Sequence, residues 1–459
     1  MEARIGKLLR GTEWEGKVFA VGGAVRDSQM GEASPDLDLC VEKPGGAKEF
    51  TAWLHSQMPK ETHAPHELGA GYPIWQLRFL DGQELQVADT QAECFPDPHT
   101  RQRVTVYGNL EADCRRRDFT VNMLYRELGS GRILDPSGQG LGDIRAGILR
   151  GHPQVDLAKT FSDDPLRIVR LFRFRARFGW RIPPEVLEKA RGAAARLAIL
   201  SVERVRDELL KMCVYSGFSE ALEQLWEVGA LPYLLPELLP MIGCQQDATY
   251  HSEGDVWVHT LMVVRNSPPR PALRLAALLH DIGKPVTRTE HGVRVKFLEH
   301  EKVSERLARE FLQRLRMPKE LTERVVRLVA LHLRGGDVRS WTSLKPARKL
   351  LREADGILDD LLDLIEADSQ SSLGPDMQPR VDHIPRLRAL LREASLVPIA
   401  RKSLLDGHVL MRLSGLPAGP ALGRLRGALV DFEDDFAARE GRLPTVEEAE
   451  TWVRSFKAN

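Results

Sequence analysis

The chain has 459 residues, of which 28% are charged and 6% aromatic, and its lysines plus arginines balance its aspartates plus glutamates. This length allows roughly two to four domains, and the composition is more typical of a largely helical globular protein than of a β-sandwich. Zero net charge excludes a global positive field, so nucleic-acid binding must rest on local basic patches.

The cysteines and the N-terminus indicate the compartment. Five scattered cysteines without C-x-x-C spacing predict neither a disulfide framework nor a zinc ribbon, which is typical of a reducing cytosol. The polar N-terminus does not predict a signal peptide, and no apolar run approaches the length of a membrane span. We therefore expect a soluble, cytoplasmic protein without membrane contacts.

A glycine turn follows the first apolar run. Val18–Val21 predicts a short buried strand, Gly22 and Gly23 follow it, and the next residues predict the start of a helix. Glycines in such a turn let backbone N–H groups approach a ligand closely, and the exposed amides of a helix N-terminus favour an anion. With the positive charge of Arg26 nearby, this turn is a candidate phosphate site.

Two aspartates come next on an alternating stretch. The strand period of residues 36–41 directs the carboxylates of Asp36 and Asp38 to one face. Two neighbouring acids repel unless a cation lies between them, and Mg²⁺ prefers a few carboxylates plus substrate phosphate oxygens. Alone, either feature would indicate an ordinary turn or an edge strand; together and in this order they predict nucleotidyl transfer.

This combination resembles the nucleotidyltransferase superfamily that includes DNA polymerase beta. More narrowly, it is similar to the bacterial class II tRNA nucleotidyltransferases, the CCA-adding enzymes, and to their poly(A) polymerase relatives. The resemblance implies that Asp36 and Asp38 are the catalytic ligands of Mg²⁺. It also implies nucleotide binding by the turn, through Gly22, Gly23 and Arg26.

A third carboxylate is expected on a later strand. Near the position where the family has this acid the chain has Gln86, and Asp89 is out of phase for the same role. Either the site works with a neutral Gln86 and a more weakly bound second metal ion, or the predicted register of this strand is wrong.

Three arginines precede an acid and an apolar helix in residues 115–122. An arginine run is usually a solvated face, but this one resembles the Arg-Arg-Asp-Phe-Thr-Ile-Asn motif of class II enzymes. The resemblance implies that Arg116 and Arg117 hold the triphosphate or orient the motif, and that Asp118 contacts the ribose hydroxyls. Asn122 belongs to the same nucleotide-binding motif, and Met123 stands where the family usually has alanine.

Residues 162–167 predict a site that selects the base. Pro165 suits a first helical turn, so Asp164 and Arg167 can project from one face as an acceptor beside a donor fork. Cytosine and adenine match this pair, whereas uracil and guanine leave mismatched polar groups. From spacing alone a capping acid with an ordinary ion pair is the simpler interpretation. The neighbouring motifs favour base selection, and the segment resembles the family's Glu-Asp-x-x-Arg motif with Asp163 in place of the glutamate.

Arginines and acids continue the helical region. Arg170 and Arg173 are further candidates for nucleotide binding, because this arginine-rich helix can pack one side on the head and offer guanidinium groups on another. Residues 201–208 resemble the family's Glu-Arg-x-x-x-Glu segment. That resemblance implies a buttress for the nucleotide-binding helix, formed by Glu203, Arg204 and Glu208.

Histidines and acids mark a second candidate site. The pattern around the adjacent His280 and Asp281 resembles HD-domain phosphohydrolases, and mixed imidazole and carboxylate ligands favour a transition metal such as Ni²⁺ or Mn²⁺ over Mg²⁺. The resemblance implies that the metal ligands are His259, His280, Asp281 and Asp368, with His300 and His332 near the phosphate and His251 earlier in the same region. A domain that folds but has lost its activity is the alternative.

We predict a multidomain α+β fold with a polymerase-beta-like α/β head followed by an all-α body. The head is predicted at residues 1–145, a helical neck with the base-selecting helix at 146–245, an HD domain at 246–375 and a helical tail at 376–459. In the tail, residues 404–411 and 415–423 resemble glycine-containing elements of CCA-adding enzymes. Arg424 and Arg426 follow them as candidate contacts to tRNA phosphates.

The predicted function is template-independent addition of CCA, or part of it such as the terminal A, to tRNA 3′ ends from CTP and ATP. The partners are tRNA, ATP and CTP, and we expect no DNA. Three alternatives remain: a poly(A) polymerase, an enzyme that is mainly an HD-type phosphohydrolase, and a non-catalytic tRNA-binding protein. The basic motif that a poly(A) polymerase has after the position of Leu68 is absent from this sequence.

Overall fold

A computed structural model describes residues 1–33, 37–68, 73–94, 104–291, 294–400 and 402–456. The chain falls into two units. The first comprises Met1–Glu208 with Ala221–Leu234, and the second comprises Leu209–Glu220 with Leu235–Asn459. The boundaries of the four predicted domains stay a prediction.

The first unit is built on a mixed sheet. Its strands are β1 Val18–Val21, β2 Leu37–Val41, β3 His66–Leu68, β4 Ile74–Arg78, β5 Glu84–Asp89, β6 Gln91–Cys94, β7 Val104–Tyr107, β8 Tyr125–Glu127 and β9 Ile133–Leu134. Within the described residues seven strands pair in the order β3-β4-β5-β2-β1-β8-β9, with β2 and β5 parallel and the other pairs antiparallel. A separate hairpin pairs β6 with β7.

Helices surround this sheet and continue beyond it. They are α1 Glu2–Leu9, α2 Gly23–Gln29, α3 Gly46–Gln57, α4 Leu110–Arg115, α5 Gly140–Ala146, α6 Leu157–Asp163, α7 Leu166–Phe178, α8 Pro184–Ala193, α9 Val202–Met212, α10 Phe218–Glu227 and α11 Leu231–Leu234. A 3₁₀ turn, Thr120–Asn122, lies between α4 and β8. As predicted, an α/β head is followed by helices.

Alternating residues give the sheet two different faces. Leu39, Leu85 and Val87 are buried on one side, and α3 packs against strands β2, β4 and β5. On the other side Asp38 and Gln86 are exposed, while farther along the same face Cys40 joins a small core with Phe19 and Tyr125. Because strand side chains alternate, the polar end of this second face stays open beside the turn that follows β1.

The second unit is mainly helical. Its helices are α12 Val256–Asn266, α13 Pro271–Leu279, α14 Lys284–Thr287, α15 His300–Arg314, α16 Lys319–Leu331, α17 Lys345–Glu353, α18 Leu358–Ser371, α19 Ile384–Ala394, α20 Gly407–Ser414, α21 Pro420–Glu440 and α22 Val446–Ser455. A hairpin of β10 Arg288–His291 and β11 Arg294–Phe297 interrupts them. α12, α13, α16 and α18 pack against one another around an apolar core that includes Leu275, Leu278, Val329 and Leu364.

The C-terminal helices have a small core of their own. Leu410, Leu425 and Leu429 pack with Ala449 and Val453 between α20, α21 and α22. Within the described residues no helix combines the length and the apolar character that crossing a bilayer requires.

Candidate functional site

The predicted glycine turn lies between β1 and α2. Gly22 has φ +67°, a conformation that side chains disfavour, and Gly23 begins the helix. A Cβ placed on Gly22 would lie 3.6 Å from Nη1 of Arg117, and one on Gly23 would lie 3.6 Å from Nη2 of Arg26. The turn is therefore flanked by two guanidinium groups from different parts of the sequence.

The strand pairing shows which residue lies opposite Asp38. Asp38 on β2 pairs with Gln86 on the parallel strand β5, so an amide and not a carboxylate faces it. Asp89 is buried and accepts hydrogen bonds from the backbone N–H groups of Gly45 and Ala47 at 2.7 and 2.6 Å. It therefore caps α3. Asp36 lies outside the described residues.

A chain of polar contacts, all but the last of them buried, joins the turn to α7. Arg26 donates to Asp27 at 2.8 Å and to Asn122 Oδ1 at 2.6 Å, and Asn122 donates to Asp118 Oδ1 at 2.9 Å. Arg170 on α7 then donates to Asp118 Oδ2 at 2.8 Å. We call these five residues the polar chain. It connects α2, the 3₁₀ turn and α7 through side chains alone.

Charge pairing and aromatic rings keep this chain in place. The guanidinium of Arg26 lies 5.2 Å from the ring centre of Phe174 and 4.9 Å from that of Phe178, within cation–π distance. Burial would raise the pKa of Asp118, but the charge of Arg170 and the donated hydrogen bonds outweigh it and lower that pKa to about 2. The Asp118 carboxylate is therefore ionised at neutral pH.

Asp113 organises the arginine motif, although sequence reasoning missed it. Its buried carboxylate accepts from Arg116 and Arg117 at 2.9 Å each, and from the Tyr125 hydroxyl at 2.6 Å. Burial raises the pKa of Asp113, but the two guanidinium groups lower it overall to about 2. The spacing of three and four residues to the arginines on a short helix was the available signal.

The predicted base-selecting residues lie at the junction of α6 and α7. Asp164 accepts from Arg204 Nη2 at 3.0 Å, and Arg167 donates to the backbone carbonyl of Arg116 at 2.5 Å. Arg173, farther along α7, contacts Glu208. Asp164 and Arg167 are thus three residues apart but have different partners. Two residues of the predicted buttress take part, since Arg204 contacts Asp164 and Glu208 contacts Arg173.

The second unit brings the predicted HD residues together in two groups that share one carboxylate. On one side His280 Nε2 lies 3.0 Å from Asp281 Oδ2, and His259 Nε2 lies 3.7 Å from the same oxygen. His259 Nε2 is also 3.0 Å from Asp368 Oδ1. On the other side His300 and His332 place Nε2 at 3.1 and 3.8 Å from Asp281 Oδ1.

We call His259, His280, Asp281, His300, His332 and Asp368 the HD cluster. Each of its four imidazoles is held through Nδ1. His280, His300 and His332 bond backbone carbonyls at 2.8, 2.8 and 2.6 Å, and His259 bonds a carboxylate, that of Glu253, at 2.8 Å. The four Nε2 atoms are buried, and within the described residues none completes a hydrogen bond of good geometry. A ring held at Nδ1 presents Nε2 to a metal, so these residues fit a divalent cation.

Burial and neighbouring charges shift the pKa values of the same cluster in different directions. Burial raises the pKa of Asp281, but His280 and Lys284 outweigh it and hold that pKa well below its usual range. Burial lowers the pKa of His259, yet the carboxylates of Asp368 and Glu253 raise it to about 9. His332 shows the opposite result, because burial and the charge of His280 lower its pKa to about 3.

A cavity of about 470 Å³ opens beside this cluster. Asp281, His300, His332 and Asp368 form part of its lining, together with the cationic side chains of Lys284, Lys296, Arg339 and Arg380. The lining therefore combines candidate metal ligands with groups that bind phosphate.

The chain matches three domain families in sequence order. Residues 18–150 match the poly(A) polymerase head domain, residues 179–242 match the family described as a probable RNA and SrmB-binding site of polymerase A, and residues 257–380 match the HD domain. These matches define the class: a nucleotidyltransferase with a polymerase-type head and an HD domain.

Comparisons over the whole chain give the family. The chain is 32% identical to the CC-adding tRNA nucleotidyltransferase of Thermus thermophilus, over 95% of this chain and 92% of that protein. It is 30% identical to the A-adding tRNA nucleotidyltransferase of Deinococcus radiodurans, over 95% of this chain and 94% of that protein. The chain belongs to the tRNA nucleotidyltransferase family, and its two domain types imply a dependence on divalent metal ions.

Solved structures agree on the fold. The Bacillus stearothermophilus CCA-adding enzyme in complex with CTP superposes with a TM-score of 0.63 at 21% identity, covering 95% of this chain and 92% of that chain. The Thermotoga maritima CCA-adding enzyme complexed with tRNA has a TM-score of 0.58 at 17% identity, covering 99% and 94%. The predicted fold class is confirmed.

The charge state of Asp118 leads to a pH-dependent prediction. Replacing Asp118 by Asn should lower the free energy of unfolding by about 2–3 kcal/mol at pH 7. The reason is that a carboxyl group whose pKa is about 2 in the folded chain and about 4 in the unfolded chain stabilises the fold as long as it is ionised. This stabilisation is present above pH 4 and is lost as the pH falls toward 2. Urea titrations of wild type and Asp118→Asn at pH 7, 4 and 3 should show the difference shrinking.

The control is Glu111→Gln, which removes an exposed ion pair with Arg115. Exposed pairs contribute little, so this variant should differ from wild type by less than about 1 kcal/mol at each pH. A difference between wild type and Asp118→Asn that stays constant from pH 7 to pH 3 would contradict the ionised pair.

Proposed function

We propose that the protein adds CCA, or part of it such as the terminal A, to tRNA 3′ ends in the cytoplasm, using CTP and ATP with Mg²⁺. The observation that carries this proposal is the polar chain, because it joins the glycine turn, the arginine motif and α7. Family membership supports the same reaction.

The head residues divide the work of nucleotidyl transfer. Asp36 and Asp38 would hold Mg²⁺, which when bound offsets charge on the triphosphate and the attacking oxygen. Asp38 is an exposed acid beside a phosphate-sized turn, and Gln86 opposite it adds a neutral carbonyl oxygen, so the oxygen donors suit this ion. The 3′ hydroxyl attacks the α-phosphate in line, and pyrophosphate leaves.

The remaining residues bind and orient the nucleotide. The turn of Gly22 and Gly23, with Arg117 beside it, binds the triphosphate through backbone N–H groups and a guanidinium fork. Asp118 accepts from the ribose hydroxyls. Asp164 and Arg167 select the base after exchanging their present partners, the side chain of Arg204 and the carbonyl of Arg116, for the Watson–Crick edge.

Single-nucleotide extension tests the reaction. Purified protein is incubated with tRNAs that end before the tail, after C and after CC, each with one labelled nucleoside triphosphate. ATP should be incorporated after CC, CTP should be incorporated on the shorter ends if the enzyme builds more than the terminal A, and UTP and GTP should be refused. Asp38→Asn should reduce incorporation at least about 100-fold, because metal-held charge stabilisation is lost.

The control is Asp81→Asn, an acid in the exposed turn between β4 and β5, which should extend tRNA at the wild-type rate. Full activity of Asp38→Asn would remove the proposal of nucleotidyl transfer at this site. Binding of tRNA without incorporation of any nucleotide would favour the non-catalytic alternative.

Base choice has its own matched pair of variants. Asp164→Ala should lower the preference for ATP over GTP at least about tenfold, because the acceptor that recognises the exocyclic amino group is removed. The adjacent Asp163 is exposed at the end of α6, so Asp163→Ala should keep the wild-type preference. Rates with all four nucleotides on a CC-ended tRNA measure both, and equal preferences in the two variants would remove Asp164 from base selection.

We propose a second activity for the HD cluster, hydrolysis of cyclic or terminal phosphates on RNA ends. The observation that favours it is the set of four buried Nε2 atoms directed at Asp281 and Asp368. His259, His280, Asp281 and Asp368 would hold a transition ion such as Ni²⁺ or Mn²⁺, which when bound polarises a phosphate oxygen. Lys284 and His300 lie where they can bind the remaining phosphate oxygens.

Replacing His280 separates the two activities. His280→Ala should reduce hydrolysis of a 2′,3′-cyclic nucleotide at least about 100-fold and leave tRNA extension unchanged, since the head residues are untouched. His63→Ala, at an exposed histidine that belongs to neither candidate site, serves as the histidine control and should keep both activities. Hydrolysis that survives in His280→Ala, assayed with added Ni²⁺ or Mn²⁺, would contradict the assignment.

A further inference from the structure

Glu253 is a buried carboxylate that lies outside every domain match. It belongs to the segment before α12, whereas the HD match begins at residue 257. Its side chain is only 1% exposed, and ionisable groups so deeply buried need partners. The partners of Glu253 are two histidines and one backbone N–H.

The geometry of these contacts fixes which ring nitrogens carry hydrogen. Oε1 of Glu253 lies 2.7 Å from His251 Nδ1 and 2.8 Å from His259 Nδ1. A carboxylate accepts hydrogen bonds, and Oε1 lies within hydrogen-bond distance of both ring nitrogens. Both imidazoles must therefore donate from Nδ1. For His259 this directs Nε2 toward Asp368 and Asp281.

His259 differs in this respect from the other imidazoles of the HD cluster. His280, His300 and His332 are anchored by neutral backbone carbonyls, whereas His259 is anchored by a full negative charge. A carboxylate on Nδ1 increases the basicity of Nε2 and so strengthens its bond to a cation.

The same carboxylate also fixes the helix that carries Asp368. Oε2 of Glu253 accepts from the backbone N–H of Leu373 at 2.9 Å, and the N–H of neighbouring Ser252 donates to the Leu373 carbonyl at 2.9 Å. Leu373 follows the C-terminal end of α18, and Asp368 is in the last turns of that helix. One side chain therefore ties together the two elements that carry His259 and Asp368.

We propose that Glu253 is a positioning residue of the HD cluster, which presets His259 and the end of α18 for a divalent cation and directs His251 into the adjoining cavity. This inference rests on the proposed HD activity. The cavity lining includes His251 beside Asp281 and His300, so the second imidazole held by Glu253 faces the space where a substrate would lie.

The test measures cation affinity of the full-length protein. Co²⁺ is titrated into wild type, Glu253→Gln, Glu253→Asp and His280→Ala, with binding followed by calorimetry and by visible absorption. His280→Ala identifies which binding belongs to the HD cluster, since the head site also takes cations. Glu253→Gln should weaken that binding about 10–100-fold and change the absorption bands at saturating Co²⁺, because the charge behind His259 is removed.

Two further variants distinguish positioning from general stability. Asp255→Asn alters the N-cap of the same helix, α12, where the carboxylate accepts from Val258 N–H, without touching an imidazole. It should keep the wild-type affinity and absorption spectrum even if α12 is destabilised. Glu253→Asp, which restores the charge at shorter reach, should recover part of the affinity.

The outcomes separate this inference from the proposed HD activity. If wild type and His280→Ala bind Co²⁺ identically, the cluster holds no cation and both ideas are overturned. If His280→Ala loses a site that Glu253→Gln keeps with unchanged affinity and spectrum, only the positioning role is overturned. An equal loss in Asp255→Asn and Glu253→Gln would likewise overturn it, since general destabilisation would then explain the result.

Discussion

The polar chain is the constraint on which the candidate nucleotide site depends. Asp27, Arg26, Asn122, Asp118 and Arg170 come from three separated segments, and each buried charge among them would be costly without its partner. The glycine turn, the arginine motif and α7 must therefore reach their positions together. Asp113 extends the same principle by fixing Arg116 and Arg117, the second of which lies beside the turn.

The HD cluster achieves its geometry by the same means. Each imidazole is oriented by an acceptor at Nδ1, and the buried carboxylate of Asp281 and the partly exposed carboxylate of Asp368 lie 3.0 to 3.8 Å from Nε2 atoms. In both units the candidate ligand-binding groups are held in place by hydrogen bonds to neighbouring side chains or backbone groups. This arrangement fixes the reacting groups before binding, so that less ordering is required when the ligand arrives.

The features that the sequence predicted correctly are those that depend on residues close together in the chain. The bounds of β1 and the turn at Gly22 followed from the apolar run and the position of the glycines. The role of Glu253 was not predicted, and the partner of Arg204 within the predicted buttress could not be deduced from spacing, because the partners of both side chains are set by tertiary packing. Arg204 reaches Asp164 across 40 residues, and Glu253 reaches Leu373 across 120. The spacing of three and four residues between Asp113 and the arginines was visible in the sequence, but these contacts were not predicted from it.

A double-mutant cycle tests the central claim that the polar chain acts as one unit. Arg26 and Asp118 meet through Asn122, so the free energies of unfolding of wild type, Arg26→Met, Asp118→Asn and the double variant measure whether the effects are coupled. A connected chain predicts a coupling energy of at least about 0.5 kcal/mol between the two substitutions. Effects that add within about 0.3 kcal/mol would show that the turn and α7 are stabilised independently, and would contradict the claim.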